Sequence, residues 1–452
     1  MAGQKPRSKS RPEHNKEGIT RITVAGFKSI SQEQSIEIRP LTILAGANSS
    51  GKSSMMQPLL LLKQTLEATY DPGALLLNGP NVRFTSTDQL LSRKNQVKNV
   101  DSFHVGIEVG TKAQVTTYFT RAKNRGKGFD VEQTRYNSGT RKYSLYRSMS
   151  QHEIETIANS ALNIGENYEP YLIALTRERC FLTLTVTGRY VSADTGEFQN
   201  GRLLTYMPGE TPVKSCIRQM IHLPGLRGNP ARTYPLTAVG SDFPGTFENY
   251  VASVIGQWQV DDHVKLAKVN RDLARLGLTG KVVAKAIDDT QVELRIKRLL
   301  RNGKGSTEDM VSIADVGFGV SQTLPVVVAL HAANSGQLVY LEQPEIHLHP
   351  RAQTALAEVL ADAALQEKLL IVETHSNLLL RGVQTLVAEG KLPPELVKLH
   401  WFTLNEDGST RIDSADVDEA GAFGDWPEDF HSVTLQSEGR YIDAAEARLM
   451  GE

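Results

Sequence analysis

The stretch that decides the fold reads Gly46-Ala47-Asn48-Ser49-Ser50-Gly51-Lys52-Ser53. It fits the pattern G-x-x-x-x-G-K-[ST], in which glycines let the backbone curl until its N–H groups converge on a phosphate. An apolar run over residues 41–44 precedes it and predicts a buried strand. Methionine and leucine at helical spacing follow over residues 55–62. We therefore predict a phosphate-binding loop between a strand and a helix.

The two residues that close this motif carry its chemistry. Lys52 can reach the β- and γ-phosphates of a nucleotide, and the Ser53 hydroxyl can ligate Mg²⁺. The N-terminus of the helix adds the positive end of its dipole. The residues expected to bind the nucleotide are Gly46, Ala47, Asn48, Ser49, Ser50, Gly51, Lys52, Ser53 and Ser54.

Length and composition indicate a globular protein of several domains. The chain has 452 residues, of which 40% are hydrophobic and 22% charged, enough for two or three domains with a sizeable core. The formal net charge of −1 gives no overall field toward nucleic acid, so such binding would need a local patch. No run of about 18 apolar residues occurs, and we expect no membrane span.

Cysteine usage and the N-terminal stretch bear on the cellular compartment. Cys180 and Cys216 give neither a disulfide framework nor the spacing of a metal site. This favours a reducing compartment, and we expect a cytoplasmic protein. Residues 1–18 contain Lys and Arg without an apolar core, which predicts a disordered basic arm rather than a secretory signal.

Two further apolar runs end in polar residues. The run 337–341 leads to Glu342, and the run 369–372 leads to Glu373-Thr374-His375-Ser376. Ligands bind at the carboxyl ends of strands in open α/β sheets. Glu342 is therefore the candidate for holding magnesium, directly or through water, with a buried salt bridge as the alternative. His375 could contact a γ-phosphate, although a lone histidine is more often structural.

A glycine-rich turn over residues 315–322 opens a helix that runs on to His331. Pro325 is expected within its first turn, where proline is tolerated. Free backbone N–H groups, the Ser321 hydroxyl and the helix dipole would form an anion site; an ordinary capped helix is the alternative. A second phosphate-binding helix start makes sense if it serves the nucleotide of another subunit.

Taken in this order, the motifs resemble the ABC-type ATPase heads of the SMC, Rad-type and RecF-like families. They resemble more closely the AAA-21 and OLD-like (overcoming lysogenisation defect) ATPases, above all bacterial ATPases that share a C-terminal domain of unknown function. The resemblance covers nearly the whole chain after Gly18. It is carried by residues 46–53, Gly317-Phe318-Gly319-Val320-Ser321-Gln322, Glu342-Gln343-Pro344-Glu345-Ile346-His347-Leu348-His349-Pro350, Glu373-Thr374-His375-Ser376 and Phe423-Gly424-Asp425-Trp426-Pro427.

The resemblance implies an α/β fold, namely an ABC-type P-loop head with a mixed or parallel sheet flanked by helices. A middle insertion and a short C-terminal appendage would complete it. The expected limits are 1–18 for the basic arm, 19–120 for the first half of the head, 121–280 for an insertion or lid, 281–415 for the second half and 416–452 for the appendage.

The resemblance also implies a role for each motif. ATP and Mg²⁺ would be the cofactors, with Ser53 and Glu342 at the metal. Ser321, with Gly319 and Gln322, matches the signature motif that covers the γ-phosphate of a partner, and His375 matches the switch histidine. ATP would thus lie between two heads and drive a homodimer or higher homo-oligomer to close.

One position departs from the family pattern. The usual pair at the strand tip is Asp-Glu, whereas this chain has Glu342-Gln343. An amide cannot accept a proton as a general base, so Gln343 can only orient water. We expect weak hydrolysis, or hydrolysis that uses Glu345 or another acid, or that needs a partner.

The sequence leaves the process served by the ATPase open. Relatives of this type often accompany an effector, commonly a nuclease or toxin, in antiphage systems, which suggests an ATP-gated regulatory subunit. A RecF-like repair ATPase acting directly on nucleic acid is the alternative, and a purely structural nucleotide is a third. Residues 121–147 mix Lys and Arg with aromatics, as nucleic-acid surfaces do, but equally as a solvated hairpin or subunit contact.

Overall fold

The computed structural model describes residues 18–424 except 95–97, 112, 124–127, 140, 162–167, 192–197, 206, 208 and 299–309. Beyond 424 it describes residues 439, 440, 442, 445, 446 and 448. Most of the expected basic arm, part of the basic segment 121–147, residues 425–427 of the C-terminal motif and most of the expected appendage lie outside the described residues.

The first half of the chain is rich in strands. Its elements are β1 (Ile19–Ala25), β2 (Gln34–Glu37), β3 (Leu41–Gly46), α1 (Lys52–Glu67), β4 (Arg93–Lys94), β5 (Lys98–Asn99), β6 (Ser102–Val109), β7 (Ala113–Arg121), β8 (Phe129–Asn137), β9 (Lys142–Tyr146), α2 (Gln151–Ala161), β10 (Tyr168–Glu178), β11 (Phe181–Val191) and β12 (Phe198–Thr205). The strand, loop and helix predicted around residues 46–53 are confirmed as β3, the loop and α1.

The second half alternates strands and helices. Its elements are α3 (Glu210–Gln219), β13 (Ile221–Leu223), β14 (Tyr234–Pro235), α4 (Val251–Asp261), α5 (His263–Arg275), β15 (Val282–Ala286), β16 (Gln291–Lys297), β17 (Met310–Ser312), α6 (Phe318–Ala332), β18 (Leu338–Glu342), α7 (Pro350–Ala364), β19 (Leu369–Glu373), α8 (Asn377–Ala388), β20 (Val397–Leu404) and β21 (Thr410–Asp416). The strands predicted before Glu342 and before His375 are confirmed as β18 and β19.

A central sheet with the order β13-β18-β19-β3-β20-β21 brings the motifs together. All pairings in it are parallel except that of the edge strand β21. The register places Glu342 beside Glu373, and Glu373 beside Leu44. The carboxyl ends of β18, β19 and β3 therefore lie at one edge, where ligands of parallel sheets bind. The predicted α/β head is confirmed.

The central sheet separates two hydrophobic cores. Along β18, Val339 and Leu341 join the core beneath α4–α8, whereas Leu338 and Tyr340 join the opposite core, as the two-residue period of a strand requires. The second core also contains α1 and the antiparallel sheet with the order β2-β1-β6-β7-β8-β9. Lying within this core, α1 buries even Lys63, whose ammonium contacts Glu67 and the carbonyls of Arg218 and Phe243.

The segment expected to be an insertion, residues 121–280, contains strands of both large sheets. β8 and β9 extend the antiparallel sheet, and β13 is an edge strand of the central sheet, although all three lie between residues 121 and 280. The limits of an insertion stay a prediction.

Over the described residues, no helix combines the length and apolar character needed to cross a bilayer.

The prediction that Pro325 lies in the first turn of its helix is wrong. Helix α6 begins at Phe318, so Pro325 is its eighth residue and lies in the interior rather than in the first turn. A proline has no N–H to donate to the carbonyl four residues earlier. The carbonyl that loses its helical donor is that of Ser321, in the signature motif.

Two helical glycines give a matched test of the packing. A Cβ on Gly382 in α8 would lie 2.7 Å from Ala357 Cβ in α7, whereas one on Gly256 in α4 would have only an ordinary contact at 3.7 Å with Ala284 Cβ. We expect Gly382→Ala to destabilise the protein by about 1–3 kcal/mol through overpacking. Gly256→Ala should stabilise it by about 0.5–1 kcal/mol, because alanine loses less backbone entropy in a helix. Melting temperatures of the two variants should shift in opposite directions; a rise in both would contradict the described contact between α7 and α8.

Candidate nucleotide-binding site

The loop between β3 and α1 needs its glycines for two reasons. Gly46 and Gly51 have φ angles of 141° and 103°, which side chains disfavour. A Cβ on Gly51 would lie 2.1 Å from Thr410 Oγ1, and one on Gly46 would lie 2.3 Å from the Phe402 carbonyl oxygen. The loop is thus pressed against β20 and β21. Thr410 Oγ1, 2.9 Å from the Ser50 carbonyl oxygen, supports it from a position that the motif could not indicate.

The residues of the loop divide into an exposed tip and a buried base. Ala47, Asn48 and Ser49 are exposed, Ser50 is buried, and Ser53 and Ser54 are half-buried. Lys52 is only 3% exposed, and its Nζ donates to the carbonyl oxygens of Gly46 at 3.1 Å and Ala47 at 2.8 Å. The ammonium therefore spans the loop from within. Burial lowers the pKa of Lys52, and the nearby charge of Glu373 opposes this shift.

The serine of the motif contacts an acid that the sequence did not assign to the metal. Ser53 Oγ lies 3.0 and 3.1 Å from the two carboxylate oxygens of Glu373, at the end of β19. Tyr340 Oη donates to the same carboxylate at 2.9 Å. Burial raises the pKa of Glu373, while the bonds from Tyr340 and Ser53 and the charge of Lys52 oppose that rise.

Glu342 has different partners. Its Oε1 lies 3.0 Å from His222 Nε2, and its Oε2 accepts from the Gly225 amide at 3.1 Å. The side-chain Nδ2 of Asn81 lies 3.0 Å from His222 Nδ1 and can only donate. His222 Nδ1 therefore accepts, and Nε2 carries the proton donated to Glu342. Although burial alone would raise it, the pKa of Glu342 is lowered by these bonds and by nearby Arg227. Its role at magnesium stays a prediction.

The turn after β18 is connected to the segment after β19 that carries His375. Gln343 has a φ of 44°, and its amide donates to the Glu373 carbonyl oxygen at 2.7 Å. Glu345 is buried, and its Oε1 accepts from Thr374 Oγ1 at 2.6 Å and from the His375 amide at 3.0 Å. Glu345 therefore fixes the backbone that carries His375. Burial and the charge of Lys52 lower the pKa of His375, which favours a neutral imidazole at pH 7.

The start of α6 is open to solvent on one side and fixed on the other. Its N-cap residue Gly317 supplies no side-chain hydrogen bond, no acid lies in the first turn, and Phe318 is 49% exposed. Ser321 is buried, and its Oγ donates to the Phe318 carbonyl oxygen at 3.1 Å. A Cβ on Gly319 would lie 3.4 Å from the His347 carbonyl oxygen. The signature motif thus faces the turn after β18.

Arg227 connects this helix start to the end of β18. The side chain is 5% exposed and donates to the carbonyl oxygens of Gln322 at 2.8 Å and Glu342 at 2.9 Å. The side-chain Nε2 of Gln322 donates in return to the carbonyl oxygens of Arg227 and Gly228, each at 3.1 Å. Gln322 is therefore buried in a structural contact, although it was expected to bind nucleotide. Proline, glycine and asparagine over residues 224–230 indicate a turn, but this pattern assigns no role to Arg227.

The described arginines of the basic segment already have partners. Arg135 lies over the ring of Tyr118 at 4.7 Å. The others pair with an acid or a carbonyl, namely Arg121 with Asp88, Arg141 with the Ser160 carbonyl and Arg147 with Asp130. These contacts fit the solvated-hairpin interpretation of residues 121–147 as well as a binding surface, and the choice between them stays open.

The donors at the loop suit magnesium and a triphosphate. In the part of the chain that the structure describes, no group of three or more His, Cys, Asp or Glu side chains is placed to hold a metal. Mg²⁺ commonly takes one or two protein oxygens and completes its shell with phosphate and water. The Ser53 hydroxyl and the Glu373 carboxylate are such oxygens. These two oxygens lie 3.0 Å apart beside the exposed loop tip at residues 47–49, so the residues present fit a bound nucleotide with Mg²⁺.

The solved structures that the chain matches include SMC heads. An SmcHead bound to the C-winged helix domain of ScpA is 12% identical with a TM-score of 0.47, and 89% of this chain and 99% of that chain are covered. The SMC head domain from Thermotoga maritima is 12% identical with a TM-score of 0.39, and the match covers 88% of this chain and 100% of that chain. The third structure is the Smc head domain with an extended coiled coil bound to the C-terminal domain of ScpA, derived from Pyrococcus furiosus. It is 10% identical with a TM-score of 0.46, and the match covers 88% of this chain and 96% of that chain.

A family comparison bears directly on the strand-tip motifs. No curated protein matches the chain in sequence. Residues 221–381 match the AAA_21 family, described as "AAA domain, putative AbiEii toxin, Type IV TA system". The matched segment runs from β13 into α8 and includes the signature motif, Glu342, Glu373 and His375, which agrees with the resemblance that the motifs indicated. Within residues 221–381 the chain is therefore similar to the AAA_21 family, and the phosphate-loop motif at residues 46–53 precedes the matched segment.

Proposed function

We propose that the chain binds ATP with Mg²⁺, that two copies enclose the ATP, and that this dimerisation gates a partner protein. The observation that carries the proposal is a pair of similar helix starts. Both α1 and α6 follow a glycine N-cap that gives no side-chain hydrogen bond, and neither has an acid in its first turn. Such helix starts attract anions. Only α1 has a lysine-bearing loop, so α6 suits a phosphate that another copy holds.

The surface beside the α6 start fits contact with a second copy. Phe318 lies half-exposed with its ring centroid 5.7 Å from that of His347. Leu226 is 94% exposed and directly precedes Arg227, which is anchored to Gln322. Contiguous exposed apolar patches mark protein contacts, and we place Phe318 and Leu226 in such a contact between two copies. They would surround the nucleotide when two copies meet.

The residues of the site favour slow hydrolysis. Mg²⁺, when bound, would offset the charge of the phosphates, and Lys52 would contribute a second positive charge. Gln343 can orient a water molecule but cannot take its proton. One oxygen of Glu345 is occupied by Thr374 and the His375 amide. A closed dimer would therefore persist, which suits a gate better than a rapid motor.

The partner is proposed to be an effector such as a nuclease or toxin in antiphage defence. The description of the AAA_21 family names a putative toxin and a toxin–antitoxin system, which supports a role in a system of this class. A closed dimer would expose or hide the partner's binding surface, because ATP changes how the two copies are placed.

Gly317 allows a test of the enclosed site that preserves the fold. A Cβ at this position meets nothing within 4 Å, and aspartate and asparagine are both good N-cap residues. Gly317→Asp should place a negative charge against the partner's phosphates and abolish ATP-dependent dimers. Gly317→Asn, which is neutral and nearly the same size, should retain them. Mass photometry with ATP and Mg²⁺ would measure both, with ADP as a control. Dimers of the aspartate variant at the asparagine level would contradict the proposal, and equal dimerisation with ATP and ADP would support a purely structural nucleotide.

Gln343 allows a test of the slow hydrolysis. We expect Gln343→Glu to raise the steady-state ATPase rate by about a hundredfold or more, because a positioned general base contributes on the order of 10²–10⁴. Gln343→Ala is the matched control and should not raise the rate. Phosphate release at saturating ATP is the measurement. A rapid wild-type rate that the glutamate variant leaves unchanged would contradict the role given to this position.

A further inference from the structure

Two acids lie at neighbouring strand ends, but only one touches the serine of the phosphate loop. Both described hydrogen bonds of Ser53 Oγ go to Glu373, at 3.0 and 3.1 Å. The motif match had given the magnesium to Glu342. The two acids are adjacent in register, so the sequence pattern alone treats them as alternatives.

Sheet order explains why Glu373 is the acid at the loop. Strand β19 pairs directly with β3, and Glu373 is opposite Leu44, two residues before the end of β3. Strand β18 is one position further out. Adjacent strands are about 4.8 Å apart, so the Glu342 backbone starts about that much further from the loop.

The carboxylate of Glu342 is already committed on the opposite side. His222 and the Gly225 amide each bind one of its oxygens, and both belong to β13 or the turn that follows it. The same turn carries Arg227, which donates to the Glu342 carbonyl. Glu342 is therefore placed to hold this turn against β18.

The carboxylate of Glu373 is oriented toward the loop. It is 5% exposed, and Tyr340 Oη fixes one of its oxygens at 2.9 Å. Lys52 is close enough to interact with it electrostatically. A buried carboxylate next to a hydroxyl offers the hard oxygen ligands that Mg²⁺ prefers.

We propose that Glu373, together with Ser53, receives the magnesium of the bound nucleotide, directly or through water, and that Glu342 is a positioning residue for His222 and the 224–228 turn. This inference rests on the proposed nucleotide binding and deepens it, because it assigns the metal-binding acid. The assignment differs from the one that the motif order suggests.

The test compares Glu373→Gln with Glu342→Gln, which is the matched control at the neighbouring strand end. The probe is Mn²⁺, titrated into the full chain with a non-hydrolysable ATP analogue and followed by the electron paramagnetic resonance signal of free Mn²⁺. We expect Glu373→Gln to weaken Mn²⁺ binding by on the order of tenfold or more, because it removes a charged metal ligand. Glu342→Gln should weaken it clearly less, because the Glu342 carboxylate binds His222 and the Gly225 amide rather than the metal. Affinity for the analogue without metal should be retained in both.

Two further variants guard against misfolding. Glu373→Asp keeps the charge and should bind Mn²⁺ more tightly than Glu373→Gln. Ser53→Ala combined with Glu373→Gln should lose less than the sum of the two single losses on a logarithmic scale, because both residues act on one ion. Circular dichroism would verify that each variant is folded.

The outcomes separate this inference from the proposed function. If Glu342→Gln loses as much Mn²⁺ affinity as Glu373→Gln, or more, the assignment of Glu373 is overturned while nucleotide binding stands. If the wild-type chain binds no ATP analogue with or without metal, the proposed function fails, and this inference fails with it.

Discussion

Parallel pairing of β18, β19 and β3 is the constraint on which the site depends. The register sets Glu342, Glu373 and Leu44 side by side, so the phosphate loop and both acids meet at one sheet edge. The sheet is covered on both faces by hydrophobic cores, and of the charged groups at this edge Lys52 and Glu373 are buried and Glu342 is half-buried. Each is therefore paired, Lys52 with loop carbonyls, Glu373 with Ser53 and Tyr340, and Glu342 with His222. Buried charges require such partners.

The same edge is linked to the start of α6 by buried hydrogen bonds. Arg227 joins the Gln322 and Glu342 carbonyls, and Glu345 joins the turn after β18 to the His375 backbone. These bonds connect the end of β18 with the surface where a second copy is proposed to bind. Leu226 and Phe318 stand exposed at that surface, on segments that these bonds hold in place.

Local pattern was enough to predict the elements that carry the motifs. The strand, loop and helix around Lys52, the strands before Glu342 and His375, and the helix after Gly317 all follow from apolar runs and turn residues. The contact between Glu373 and Ser53 could not be predicted, because it depends on β19 being the direct neighbour of β3, and sheet order is not a local property. Thr410 and Arg227 were missed for a related reason. Their partners are 360 and 95 residues away in sequence. Pro325 was misplaced because the helix starts at Phe318, earlier than a first-turn proline would require.

The central claim is that each ATP is bound by two copies, one through its phosphate loop and the other through its α6 start. The most direct measurement mixes Lys52→Ala and Gly317→Asp chains and counts dimers by mass photometry with ATP and Mg²⁺. Neither variant should dimerise alone, but the mixture should form heterodimers, because the loop of the Gly317→Asp copy and the helix start of the Lys52→Ala copy together leave one site intact. A mixture that stays monomeric while the wild type dimerises, or full dimerisation of either variant alone, would contradict the account.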